Sequence, residues 1–140
     1  MTTELPSFSE CDALVSVMVA VSASDENMRT AELVAIERMV DHMPVFASYD
    51  VNRIPVVSQT VITLFEEEDG LDALFGLVRE ALPPHLLETA YALACEIAAA
   101  DGRLPDDEAE MLREVRHQLN ISRLHASAIE LSAQARHRRL

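Results

Sequence analysis

Three features of this 140-residue chain predict an all-α fold of about seven helices. Apolar residues recur at three- and four-residue steps in one segment after another, the spacing that lines one face of a helix. The composition is Ala-rich with only 3 glycines, which favours helices over a turn-rich β architecture. Pro, Gly and Asn stand at the breaks between the periodic segments, where helices start and stop. The length fits one domain with one core, here residues 8–137. An apolar content of 49% is ample for that core, and an aromatic content of 4% without Trp leaves it to Leu, Val, Ile, Met and Ala.

The first helix is expected over about 8–23. Phe8, Cys11, Val15, Met18 and Ser22 share a face that Leu14, Val17 and Val21 broaden, so this helix is central. The segment Ser22–Asn27 breaks it. A second helix follows at about 29–43 with Leu33, Ile36, Val40 and Met43 inward and Glu32, Glu37, Arg38 and Asp41 elsewhere; Pro44 stops it. Residues 45–52 form a connector with room for a short helical turn. The third helix starts near Asn52, an N-cap residue type, with Pro55 in its first turn and Val57, Val61, Leu64 and Phe65 inward.

Glu66, Glu67, Glu68 and Asp69 then form an acidic run before Gly70. The fourth helix, about 71–82, places Leu71, Leu74, Phe75, Val78 and Leu82 on one side. The fifth, about 84–100, carries Leu86, Leu93 and Ile97 beside Ala90, Ala94 and Ala98, small residues that let helices approach closely. The sixth, about 105–119, turns Leu112, Val115 and Leu119 inward and ends at Asn120, a natural left-handed cap. Ser122 caps the seventh, about 123–136, with Leu124, Ala128, Leu131 and Ala135 on its expected inner face.

The formal net charge is −13, and all 11 basic residues are Arg. Such a chain repels nucleic acid and anionic membrane surfaces and attracts cations and basic protein partners. No basic, apolar leader opens the chain, and the longest apolar run, 13–23, is too short to span a bilayer. Cys11 and Cys95 lie in apolar stretches without metal-ligand or redox spacing, the pattern of reduced thiols. A cytoplasmic protein with no membrane insertion is expected. No Ser/His/Asp or Cys/His arrangement and no Gly-rich phosphate loop occurs, so no enzymatic activity is expected.

The sequence AAADGRLPDDE, residues 98–108, joins the fifth helix to the sixth. Asp101 leaves one helix and Glu108 enters the next, so a tight connection aims both carboxylates at one point. Shifting the chain by 76 residues lays Asp25 on Asp101, Glu32 on Glu108, Ile36 on Leu112 and Met43 on Leu119. A pseudo-two-fold duplication is therefore expected, with half-repeats at about 8–68 and 84–137 and a bridging helix at about 71–82.

The carboxylates admit two readings. One is a hard divalent cation, Ca²⁺ or Mg²⁺, at each loop, with Asp106 and Asp107 as possible further ligands in the second. It is not an EF-hand, because Gly102 and Glu108 stand at the wrong positions of the loop. The other is helix capping: Asp101 caps the next helix and Glu108 favours its positive N-terminus. The acidic run 66–69 reads as solvated surface or as an interaction patch for a basic partner. His117 and His125 flank the last interhelical turn, with no third ligand at zinc spacing.

An Ala-rich helix entering a D-G-x-apolar-x-x-x-E turn, in two half-repeats, resembles the tellurite-resistance TerB family, whose domain also occurs in some DnaJ-type co-chaperones. The second repeat, ALACEIAAADGRLPDDEAEMLREV, carries the likeness closely, and VSVMVAVSASDENMRTAELVAIERMV carries it more loosely. The resemblance implies a seven-helix, non-enzymatic module linked to tellurite resistance and stress response. It also implies metal binding at Asp101 and Glu108, and less securely at Asp25 and Glu32. Pro105 and Arg29 replace the family's usual capping Ser or Thr, and nothing in the chain offers exposed thiols to reduce tellurite. An acidic protein-interaction scaffold without metal is the alternative.

Overall fold

The computed structural model describes residues 7–24, 30–100 and 106–140. These residues form seven α-helices: α1 (Glu10–Ala23), α2 (Thr30–His42), α3 (Arg53–Phe65), α4 (Gly70–Ala81), α5 (Leu87–Ala99), α6 (Asp106–Gln118) and α7 (Arg123–Arg136). Short 3-10 turns at Pro44–Phe46 and Pro84–Leu86 precede α3 and α5. The all-helical expectation holds, with boundaries within about three residues; the largest difference is at the fifth helix, expected from about 84, where Pro84–Leu86 forms a 3-10 turn and α5 begins at Leu87.

The helices α1 and α5 form the largest interface, and the others surround them. Every residue from Asp12 to Ser22 is buried, so α1 is covered on all sides, as its unbroken apolar run requires. Small side chains at Ala90, Ala94 and Ala98 are buried on α5. The two central helices have matching neighbours: α1 packs on α2, α3 and α6, while α5 packs on α6, α7 and α2. The fourth helix contacts α1 and α3.

A polar hub fixes the start of α1. Ser9 caps the helix by accepting the Asp12 N–H, and the Asp12 carboxylate accepts the Ser9 N–H in return. The same carboxylate accepts the Tyr49 hydroxyl at 2.7 Å and the Arg53 guanidinium at 2.9 Å. One buried acid thus joins α1, the connector and α3. Cys11 alongside donates its thiol to the Val45 carbonyl. Burial alone would raise the Asp12 pKa, but hydrogen bonds from Arg53, Tyr49 and Ser9 outweigh it and hold the carboxyl below the ordinary range.

The turn between α3 and α4 depends on Gly70, which is buried as the first residue of α4. A Cβ there would lie 1.6 Å from the Leu64 carbonyl oxygen, so only glycine allows the two backbones to meet. Helix α3 ends at Phe65, and the acidic run follows it as the exposed turn leading to Gly70.

Two inner faces differ from expectation. On α2, Ile36 and Val40 are buried, but Leu33 and Met43 are exposed, and Glu32 points into the core instead of away from it. On α7, Leu124 and Leu131 are 76% and 61% exposed, with Ala128 and Ala135 also outward. The inner face is Ala126, Ile129 and Ala133. His125 pairs with Glu88, and His137 pairs with Glu96 at 2.7 Å; Arg136 also reaches Glu96. The order of these pairs shows that α5 and α7 run in the same direction. Small alanines then face the Ala-rich α5, and the leucines turn outward. Asn52, the expected cap of α3, makes no side-chain cap bond. Ser122 does cap α7 by accepting the His125 N–H, and Asn120 has the expected left-handed conformation, φ 54°.

Two outcomes test these contacts. Gly70→Ala should lower stability by about 1–3 kcal/mol, the usual cost of overpacking, measured by urea unfolding. The Asp12 hub should contribute stability above the unfolded-state carboxyl pKa, about 3.9, and lose it as pH falls through the lower folded value. Asp12→Asn should therefore be less stable at neutral pH and show a smaller loss between pH 5 and 2 in thermal melts.

Candidate functional site

A cleft of about 480 Å³ opens where the ends of α1 and α3 meet the starts of α4 and α6. Its floor is apolar: Phe65, Leu71 and Met111 are half-buried along it. Its rim carries five carboxylates, Glu67 and Glu68 from the turn before α4 and Asp107, Glu110 and Glu114 from α6. Asp107, Glu110, Met111 and Glu114 follow one another at the i, i+3, i+4 and i+7 positions of a single helix face. No basic side chain lines the cleft among the described residues. Segments 25–29 and 101–105, which include Arg29 and Arg103, lie outside those residues.

The structure divides the expected site residues into three groups. Glu67 and Glu68 face the cleft, whereas Glu66 and Asp69, also exposed, do not line it. Asp106 and Asp107 are exposed at the start of α6, and only Asp107 joins the rim. Glu32 and Glu108 are 1% and 0% exposed, each the third residue of a 13-residue helix. Neither is without an interaction partner, as a buried carboxylate requires. Asp25 and Asp101, the other halves of the two expected cation sites, lie outside the described residues.

Among the described residues, no group of three or more His, Cys, Asp or Glu side chains is arranged to hold a metal ion. The rim carboxylates are spread around an open cleft rather than converging on one point. The buried Glu108 and the exposed Asp106 and Asp107 likewise do not form one ligand set.

Glu110 and Glu114 were not among the residues singled out from the sequence. Their spacing with Asp107 and Met111 was a readable signal, since it marks one helix face. What no spacing shows is that this face meets Glu67 and Glu68, some forty residues earlier in the chain.

The remaining polar groups serve the fold. His125 is taken up by Glu88, while His117 lies in a shallow depression with Arg116 and Arg123, so the two histidines do not form a common site. Burial pushes the Cys95 thiol up to about 12 and raises that of Cys11 as well. Neither is therefore an activated thiolate at neutral pH. No helix among the described residues is long and apolar enough to cross a membrane.

Comparison with known proteins agrees with the architecture. The family model for tellurite resistance protein TerB matches residues 11–131, from the first turn of α1 into α7. No curated protein and no solved structure matches the chain. The match covers most of the chain, which therefore belongs to the TerB family.

Proposed function

We propose that this TerB domain is a cytoplasmic docking module that binds a basic segment of a partner protein in the acidic cleft. The observation that carries this reading is the pairing of five rim carboxylates with a floor of Phe65, Leu71 and Met111. The floor supplies apolar contact area, and the rim selects cationic side chains and rejects acidic ones. The net charge of −13 adds long-range attraction for a basic partner. Tellurite resistance is the biological setting that the family name suggests.

On this reading Glu32 and Glu108 belong to the fold. Each occupies the third helical position, as Asp12 does in α1, where the acid's role as a capping group is explicit. A negative charge there complements the helix N-terminus. The matched neighbours of α1 and α5, and the equal lengths of α2 and α6, also support the proposed internal duplication. Ca²⁺ or Mg²⁺ at Asp101 and Glu108, with Asp25 and Glu32 as the weaker pair, is the second reading. In its favour is the placement of a fully buried glutamate beside each of the two acidic loops.

A labelled synthetic peptide carrying Arg and Leu at helical spacing tests the docking reading by fluorescence anisotropy. Neutralising Glu67, Glu68, Glu110 and Glu114 to Gln together should weaken binding by about 1–4 kcal/mol, at roughly 0.2–1 kcal/mol for each exposed pair. Added NaCl should weaken binding to the wild type more than to the variant. Equal affinity for the two proteins would refute the assignment of the cleft.

A further inference from the structure

The outward stripe of α7 has a counterpart elsewhere on the same molecule. Leu124 and Leu131 stand seven residues apart on the exposed side of α7, with Ala128 between them. Seven residues of helix span about 10.5 Å, two turns. Arg123 precedes this ridge and Arg138 and Arg139 follow it, all exposed; the one acid of α7, Glu130, is half-buried toward α5 and α6.

Across the molecule, a groove of about 540 Å³ separates α2 from the start of α3. Val51, Ile54 and Pro55 line one wall and Val34 the other. Val51 is 55% exposed and Val34 39%. Along α2 the wall continues from Val34 through Glu37 and Arg38 to Asp41, again seven residues and two turns. Its rim holds two carboxylates to one guanidinium, and Asp50 is exposed next to Val51.

We infer that the α7 ridge of one copy seats in the α2/α3 groove of a second copy. The two surfaces agree in length, in apolar character and in opposite sign of charge. Pairing ridge with ridge would instead oppose arginine with arginine, and pairing groove with groove would oppose carboxylates. The complementary arrangement is heterologous, because ridge and groove are different surfaces of one chain, and it propagates into a ring or a chain of subunits. None of the residues of either surface lines the acidic cleft, so this inference stands apart from the docking reading.

Sedimentation velocity over rising protein concentration at physiological salt, which screens the repulsion between two copies of net charge −13, tests it with two variants. Leu124→Glu with Leu131→Glu spoils the ridge, and Val34→Glu with Val51→Glu spoils the groove. All four sites are exposed, so far-UV circular dichroism and the melting temperature should be retained. Wild-type protein should grow in mean mass with concentration, and each variant alone should associate about tenfold or more weakly. An equimolar mixture of the two should form a one-to-one dimer that grows no further, since each supplies the surface the other lacks. Monomeric wild type, undiminished association of either variant, or a mixture that stays monomeric would each overturn the inference.

Discussion

The fold depends on two apolar helices being buried against each other. Helix α1 has no outward face from Asp12 to Ser22, and α5 is buried nearly as fully from Leu93 to Ala98. Neither is stable in water alone, since burying each Val, Leu or Ile contributes about 1.5–3 kcal/mol that an exposed helix forgoes. The remaining helices form the coat that makes this burial possible. Polar groups then tie two of these helices to the central pair. Asp12 joins α1 to α3 through Arg53 and to the connector through Tyr49, and Glu88 and Glu96 join α5 to His125 and His137 of the α7 segment.

That division of labour places the acidic cleft. Its walls come from the distal ends of α1 and α3, the turn held by Gly70, and one face of α6. The close approach at Gly70 keeps the backbone of the turn against the end of α3, and Glu67 and Glu68 of that turn line the rim. Within the Debye length of about 8 Å at physiological salt, five carboxylates around one cleft act as a shared field. The acids inside the protein have a different task. Asp12, Glu32 and Glu108 are buried at the third positions of their helices, and Asp12 ties its helix to the surrounding structure.

Helix number and order were legible in the sequence because the apolar period is strong and the breaks carry Pro, Gly, Asn and Ser. Ser122 and Asn120 were readable from residue type alone, since a cap and a left-handed residue are local chemistry. The orientation of α7 was not. Its leucines form the better apolar stripe, but the small alanines Ala126 and Ala133 are the side chains that pack inward, and the leucines face out. Glu32 was misplaced for a related reason: periodicity sorts residues by hydropathy, and a buried acid violates the sort. The acidic run 66–69 was visible as composition, yet its division into cleft and non-cleft residues follows from where α6 lies. The two loops at Asp25 and Asp101 fall outside the described residues, so their expected role is carried by the proposal alone.

The central claim is that the exposed carboxylates work as a surface and the buried ones as parts of the fold, with no acid group among the described residues arranged as a cage for an ion. Calorimetric titration of Ca²⁺, and separately Mg²⁺, into the full chain addresses this directly. The account predicts no saturable heat at one or two equivalents and an unchanged melting temperature. Stoichiometric binding that raises the melting temperature and vanishes in Glu108→Gln would contradict it.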